Sequence, residues 1–137
     1  MAKPEQQFSA DFMLLTKSLH AVRVENLLCT PGLPDVSLAT GWVELKVSRD
    51  YPTRPDTPVR LPHYTDDQRA WLRKRCLAGG NAWLALKVSR DWYIFWGATG
   101  AQEVGNLTKE GLRAECIAYF PGKPSAAELC SVFTGLK

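Results

Sequence analysis

Three charged residues are spaced so that they could act together: Asp35, which follows Pro34, and nine residues later Glu44 with Lys46 two places beyond it. On a β-strand, residues two apart share a face, so Glu44 and Lys46 point one way while Val43, Leu45 and Val47 point into a core. The stretches DVSLA (Asp35–Ala39) and GWVELKV (Gly41–Val47) read as two strands joined near Thr40 and Gly41. If the loop is Ala39-Thr40, Leu38 pairs with Gly41 and Asp35 lies opposite Glu44. If it is Thr40-Gly41, Asp35 faces Lys46. Either even-length loop gathers the three charged side chains on one face and sends Val36 and Leu38 to the core beside Val43 and Leu45.

Two carboxylates opposed on neighbouring strands repel by roughly 0.2–1 kcal/mol, so a cation should offset them. Lys46 does part of this. A hard divalent ion does more, and Asp35, Glu44 and the carbonyl of Leu45 make an oxygen set suited to Mg2+. Such an ion acidifies water and stabilises charge developing on a phosphoryl group, while a nearby ammonium orients a nucleophile or screens a phosphate. That is equipment for hydrolysing a phosphodiester.

The elements that must position these residues are legible from periodicity. Phe8, Phe12, Leu15 and Leu19 form an apolar stripe, which predicts a helix over Pro4–Leu19. AVRVENLL (Ala21–Leu28) alternates like a half-buried strand, and Thr30 to Pro34 make a turn. Arg49–His63 holds four of the nine prolines and reads as an exposed, ordered loop. Thr65 to Gln68 spell a capping box that starts a helix running to about Ala78, stopped at Gly79-Gly80. Asn81–Val88 and Trp92–Ala98 read as strands buried on both faces. Lys109–Glu115 and Ser125–Phe133 read as short helices. The order is helix, three strands, helix, two strands and a tail, a mixed α/β arrangement in a single domain over 1–137.

Composition narrows the setting without choosing a partner. The chain is 45% hydrophobic and 23% charged, as a folded domain should be, and its net charge of +3 permits a polyanion without requiring one. No apolar run approaches the roughly 20 residues of a membrane span, so no membrane role and a cytoplasmic location are expected. Cys29, Cys76, Cys116 and Cys130 lack the C-x2-C pairing of zinc sites and read as buried or idle thiols. His20 and His63 lack spaced partners and read as surface or capping residues. Trp42, Trp71, Trp83, Trp92 and Trp96 read mostly as core or sheet-face residues; one could stack on a base, and nothing in the sequence selects which. The hexapeptide LKVSRD occurs at Leu45–Asp50 and again at Leu86–Asp91, but Ala85 in the second copy replaces Glu44, so Lys87 has no acidic partner two positions before it.

Pro34-Asp35 followed at nine residues by Glu44-Leu45-Lys46 resembles the signature of the PD-(D/E)XK nuclease superfamily, over about residues 5–97. Within it, GLPDV, GWVELKV and TDDQRAWLRKRCLAGG are most similar to the small phage and archaeal Holliday-junction resolvases and the VRR-NUC endonucleases. The resemblance implies an α/β fold with a mixed central sheet flanked by helices, the restriction-endonuclease-like αβββαβ core. It implies a Mg2+-dependent endonuclease of branched or structured DNA, with Mn2+ able to substitute, working as a homodimer in a bacterial cell or phage-infected host. Asp35 and Glu44 would be metal ligands with the Leu45 carbonyl, and Lys46 the catalytic lysine. Gln68 matches a glutamine that such nucleases place early in the following helix, although its capping box explains it equally well. A third acid is expected from Glu5, Asp11 or Glu25, and Glu25 is favoured because it shares a strand face with Arg23. In a nuclease the basic stretch Arg69, Arg73, Lys74 and Arg75 would meet DNA. The alternative is a DNA-binding or regulatory module that keeps the fold without turnover.

Overall fold

The computed structural model describes residues 3–134. Its elements run α1 (Pro4–Leu15), a 3-10 turn (Lys17–Leu19), β1 (Val22–Arg23), β2 (Val36–Leu38), β3 (Gly41–Ser48), α2 (Asp66–Leu77), β4 (Ala82–Val88), β5 (Asp91–Trp96), α3 (Gly97–Glu103), α4 (Lys109–Glu115), β6 (Ala118–Phe120) and α5 (Ala126–Thr134). The strands form one sheet in chain order. Among the described residues only β3 and β4 are parallel; the other neighbouring pairs are antiparallel. A parallel pair needs a long crossover, and the proline-rich loop with α2 supplies it.

Both faces of the sheet are covered, which is why β4 and β5 are apolar on both sides. On one face Leu84, Leu86, Val88, Tyr93 and Phe95 pack with Leu72 of α2, Ala101 of α3 and Leu112 of α4. On the other, Val36, Leu38, Val43, Trp83, Ala85 and Ile94 pack with Phe8 and Phe12 of α1 and Leu129 and Phe133 of α5. Among the described residues no helix is long and apolar enough to cross a membrane.

Several expectations need correction. The first helix ends at Leu15, because the buried Thr16 hydroxyl bonds back to the Phe12 carbonyl at 2.7 Å and the chain tightens into the 3-10 turn. The strand expected over Ala21–Leu28 is only Val22–Arg23. Asn26 breaks the alternation: its side-chain amide closes on both backbone groups of Thr30 at 2.8 Å, which leaves Leu27 and Leu28 in solvent. Instead of continuing β5 to Ala98, the chain turns into α3 at Gly97, where a Cβ would stand 2.7 Å from the Ala82 carbonyl oxygen. The edge strand β6 was hidden in a stretch too short to show alternation. All four cysteines are free; Cys29 is exposed and the other three are half-buried, with Cys76 and Cys116 packed against the core.

Gly32 ties the β1–β2 loop to α2. It adopts φ +76°, and a Cβ there would lie 2.0 Å from the Asp67 carbonyl oxygen. Gly32→Ala is expected to lose at least about 2 kcal/mol of stability, from the left-handed backbone and the displaced loop together. Urea unfolding checks this, and an unchanged midpoint would mean that the loop yields freely.

Candidate active site

The β2–β3 register is Leu38 opposite Gly41, Ser37 opposite Trp42 and Val36 opposite Val43, so the loop is Ala39-Thr40. One more step sets Asp35 opposite Glu44, with Trp42, Glu44 and Lys46 all on the α2 face of β3. The next step would bring Pro34 opposite Leu45, and a proline has no N–H to give. The Leu45 amide donates instead to the Asp35 carboxylate, Oδ2, at 2.9 Å. Nothing from Pro34 can engage the Leu45 carbonyl on this side. The dipeptide Pro-Asp therefore ends the ladder and plants a carboxylate at its end.

Asp35 is exposed, but Glu44 is only 2% exposed. Burial, and then the neighbouring charge of Asp35, push the Glu44 carboxyl up from 4.5 to about 8. Lys46 pulls the other way, with Nζ 3.4 Å from Glu44 Oε2. The same ammonium donates to the His63 carbonyl at 3.0 Å and lies 5.7 Å from the centre of the Tyr64 ring. His63 thus serves through its backbone. The Tyr64 hydroxyl is buried without a hydrogen-bond partner among the described residues, and burial holds its pKa well above the usual tyrosine range, with Glu44 adding to the rise.

A cavity of about 260 Å³ opens beside Asp35, lined by Glu5, Ser9, Arg23, Val24, Asp35 and Leu45. Of the three acids considered for a third position, Glu5 lines it. Glu25 is exposed beyond the end of β1 and does not, and Asp11 accepts a hydrogen bond from Gln7 at 3.0 Å on the surface of α1. Arg23 does reach the cavity, with its guanidinium on the Ser9 hydroxyl. The premise that Arg23 and Glu25 extend a strand face fails where the strand stops. Glu5 lies one turn before Ser9, so both reach the cavity from the same flank of α1.

Gln68 spends its side-chain oxygen on the Thr65 amide at 2.9 Å, completing the capping box. Arg69 is structural: it stacks 3.9 Å from the centre of the Tyr64 ring and donates to the Ala101 carbonyl at 2.9 Å. Arg73, Lys74 and Arg75 are exposed. Lys87 stands opposite Val47 and Trp92, on the face away from Lys46.

Among the described residues no three Asp, Glu, His or Cys side chains converge closely enough to hold a metal ion by themselves. The donors present nevertheless suit a hard cation. Two adjacent carboxylates, one buried and holding its proton past neutrality, are a pair that a divalent ion would stabilise, and the Leu45 carbonyl is a third oxygen.

The strand order and the crossover define a restriction-endonuclease-like fold built on an αβββαβ core. It is shared with Hjc, a Holliday junction resolvase from the archaeal hyperthermophile Archaeoglobus fulgidus, solved at 1.6 Å. The two structures superpose with a TM-score of 0.53 over 93% of this chain and 98% of that one, at 18% sequence identity. No protein-family model and no curated protein sequence matches the chain.

The Glu44 carboxyl gives a pH dependence of known sign. It keeps its proton to about pH 8 in the folded state and loses it near 4.5 when unfolded, so the folded state binds more protons between those values and stability falls as pH rises through them. Without divalent ions, the melting temperature should decline from about pH 5 to pH 8, and Glu44→Gln should flatten the decline and melt above wild type at pH 8. Equal slopes for the two proteins would show that the carboxyl titrates normally.

Proposed function

We propose that the protein is a divalent-metal-dependent DNA endonuclease of the PD-(D/E)XK type that cuts branched or structured DNA. The observation that carries this reading is the buried Glu44 carboxyl, set opposite Asp35 with Lys46 Nζ 3.4 Å away, at the open end of a strand ladder. The fold shared with Hjc, whose own substrate is the Holliday junction, supports the choice of branched DNA.

Asp35, Glu44 and the Leu45 carbonyl would hold Mg2+ or Mn2+, with Glu5 completing the set across the cavity in place of Glu25. Bound there, the ion would acidify water and neutralise phosphoryl charge. Lys46, fixed by the His63 carbonyl, holds its ammonium where it orients an attacking water toward a phosphate and stabilises the charge gained in the transition state. Arg23 offers a guanidinium to a neighbouring phosphate at the other wall. Gln68 acts by fixing the start of α2. Cutting both strands of a junction needs two such sites, so the active species is a homodimer, and sedimentation should show twice the chain mass.

Asp35→Asn, Glu44→Gln and Lys46→Ala should each reduce cleavage of a labelled junction in Mg2+ by at least about 10³-fold while leaving DNA binding nearly unchanged. Lys87→Ala should cleave like wild type. Wild-type rates for any of the first three, or a comparable loss for Lys87→Ala with the fold intact, would overturn the assignment. Glu5→Gln should slow cleavage by more than about tenfold and weaken the response to Mg2+, whereas Glu25→Gln should be close to neutral. The reverse order would return the third acid to the loop. A non-catalytic module would cleave none of these substrates under any metal.

A further inference from the structure

The catalytic row on β3 continues past Glu44 to Trp42, which lies on the same face about 7 Å along the strand. Across from it, on α2, Trp71 and Arg75 follow Gln68 at helical spacing and so share a flank. The two indoles meet edge to face with centroids 5.4 Å apart. Arg75 lies 4.5 Å from the Trp71 ring centre and 5.7 Å from that of Trp42. A hollow of about 570 Å³ opens here, lined by Trp71, Lys74, Arg75, Ala78, Gly79 and Gly80. Both tryptophans remain half-exposed and Lys74 and Arg75 are exposed.

The helix dipole accounts for cations in the last turn of α2, but it does not account for an indole pair beneath them. Nor is Arg75 a loose surface side chain. A Cβ on Gly80 would stand 2.6 Å from Arg75 Cδ, so the bare glycine seats the aliphatic stem and the guanidinium is held over Trp71. At Gly79, which has φ +93°, a Cβ would meet nothing within 4 Å, so the rim of the hollow is open. A flat aromatic surface beside a held guanidinium and an exposed ammonium, in line with the Asp35–Glu44 carboxylates, is complementary to a ligand with a π-face and a phosphate together.

We propose that Trp71, backed by Trp42 and flanked by Arg75 and Lys74, is a seat for one unpaired nucleotide next to the cleavage position. Its base stacks on the indole and guanidinium, and its phosphate meets the two cations. This rests on the nuclease reading and sharpens it: the seat makes unpaired bases at a branch, in preference to fully paired duplex, the feature that is recognised.

The test reads binding and not cleavage. The full chain is titrated in EDTA, by fluorescence anisotropy, against a duplex bearing a short single-stranded thymidine arm and against the same molecule with abasic sites next to the branch. Wild type should bind the thymidine arm about tenfold more tightly than the abasic one. Trp71→Ala should erase that preference, and Trp71→Phe, which keeps a ring, should restore most of it. Arg75→Gln, at an exposed position, should weaken both complexes and reduce the salt slope by about one. No preference in wild type, an undiminished preference in folded Trp71→Ala, or wild-type binding and salt slope in Arg75→Gln would each overturn the seat. A protein that never cuts DNA in Mg2+ yet shows the thymidine preference would refute the nuclease reading and leave the seat standing, so the two failures are distinguishable.

Discussion

Leu38 opposite Gly41 is the pairing on which the arrangement of the site depends. A slip of one residue would turn Glu44 and Lys46 into the Phe8–Phe12 core and bring Val43 and Leu45 out beneath α2. The pairing is pinned from outside the hairpin. Asn81, just before β4, donates to the Thr40 carbonyl at 3.1 Å and accepts from the Trp42 amide at 3.1 Å. Gly41 has no Cβ to collide with it, since one would lie 2.5 Å from the Asn81 oxygen. The hairpin, the turn into β4 and the parallel pairing of β3 with β4 are thus one interlocked device, and it places a carboxylate pair where the ladder runs out.

That placement creates a charge problem which the proline-rich loop helps to solve. A buried Glu44 gives up its proton more readily with a cation held close by, and a lysine has four rotatable bonds with which to drift away. The His63 carbonyl and the Tyr64 ring hold Lys46, and they can do so only if the loop leading to them is itself fixed. It is anchored at several points. Tyr51 shares hydrogen bonds with Asp91 and with Tyr93, the Val59 amide donates to the Leu107 carbonyl at 2.8 Å, and Arg60 bonds to Asn106 at 2.7 Å. Prolines lower the entropy that such anchoring must overcome. A segment with no helix or strand thereby becomes a rigid strap from the far end of β3 back to its middle.

What could be read from the sequence was whatever depended on parity and caps. The hairpin's shared face followed from residues two apart, and the α2 start followed from Thr65 and Gln68, whose reciprocal bonds are present as expected. What could not be read depended on contacts between distant segments. The alternation of AVRVENLL was real, but the Asn26 side chain competed with the ladder and won. The choice between the two loops of the hairpin was settled by Asn81, some forty residues away. That Glu5, of the three acids named, shares a cavity with Asp35 depends on how Phe8 and Phe12 pack α1 on the sheet, and no local pattern encodes that. The sequence pattern puts Gly97 inside a strand that runs to Ala98, and only its close approach to the Ala82 carbonyl shows why a glycine stands where the chain turns into α3.

The repeated LKVSRD shows why chemistry follows face and not motif. The copies are 41 residues apart, but β3 and β4 align with Leu45 beside Ala85, an offset of 40. That single residue of mismatch is half the period of a strand, so two identical segments on adjacent parallel strands present opposite faces. Lys46 consequently lies under α2 beside Glu44, and Lys87 lies on the α1 side beside Val47. Replacing Ala85 with a glutamate would not build a second site: that carboxylate would enter the core among Val43, Ile94 and Trp83. The substitution of Glu44 by Ala85 in the second copy is therefore a requirement of burial, imposed by the register, before it is a question of catalysis.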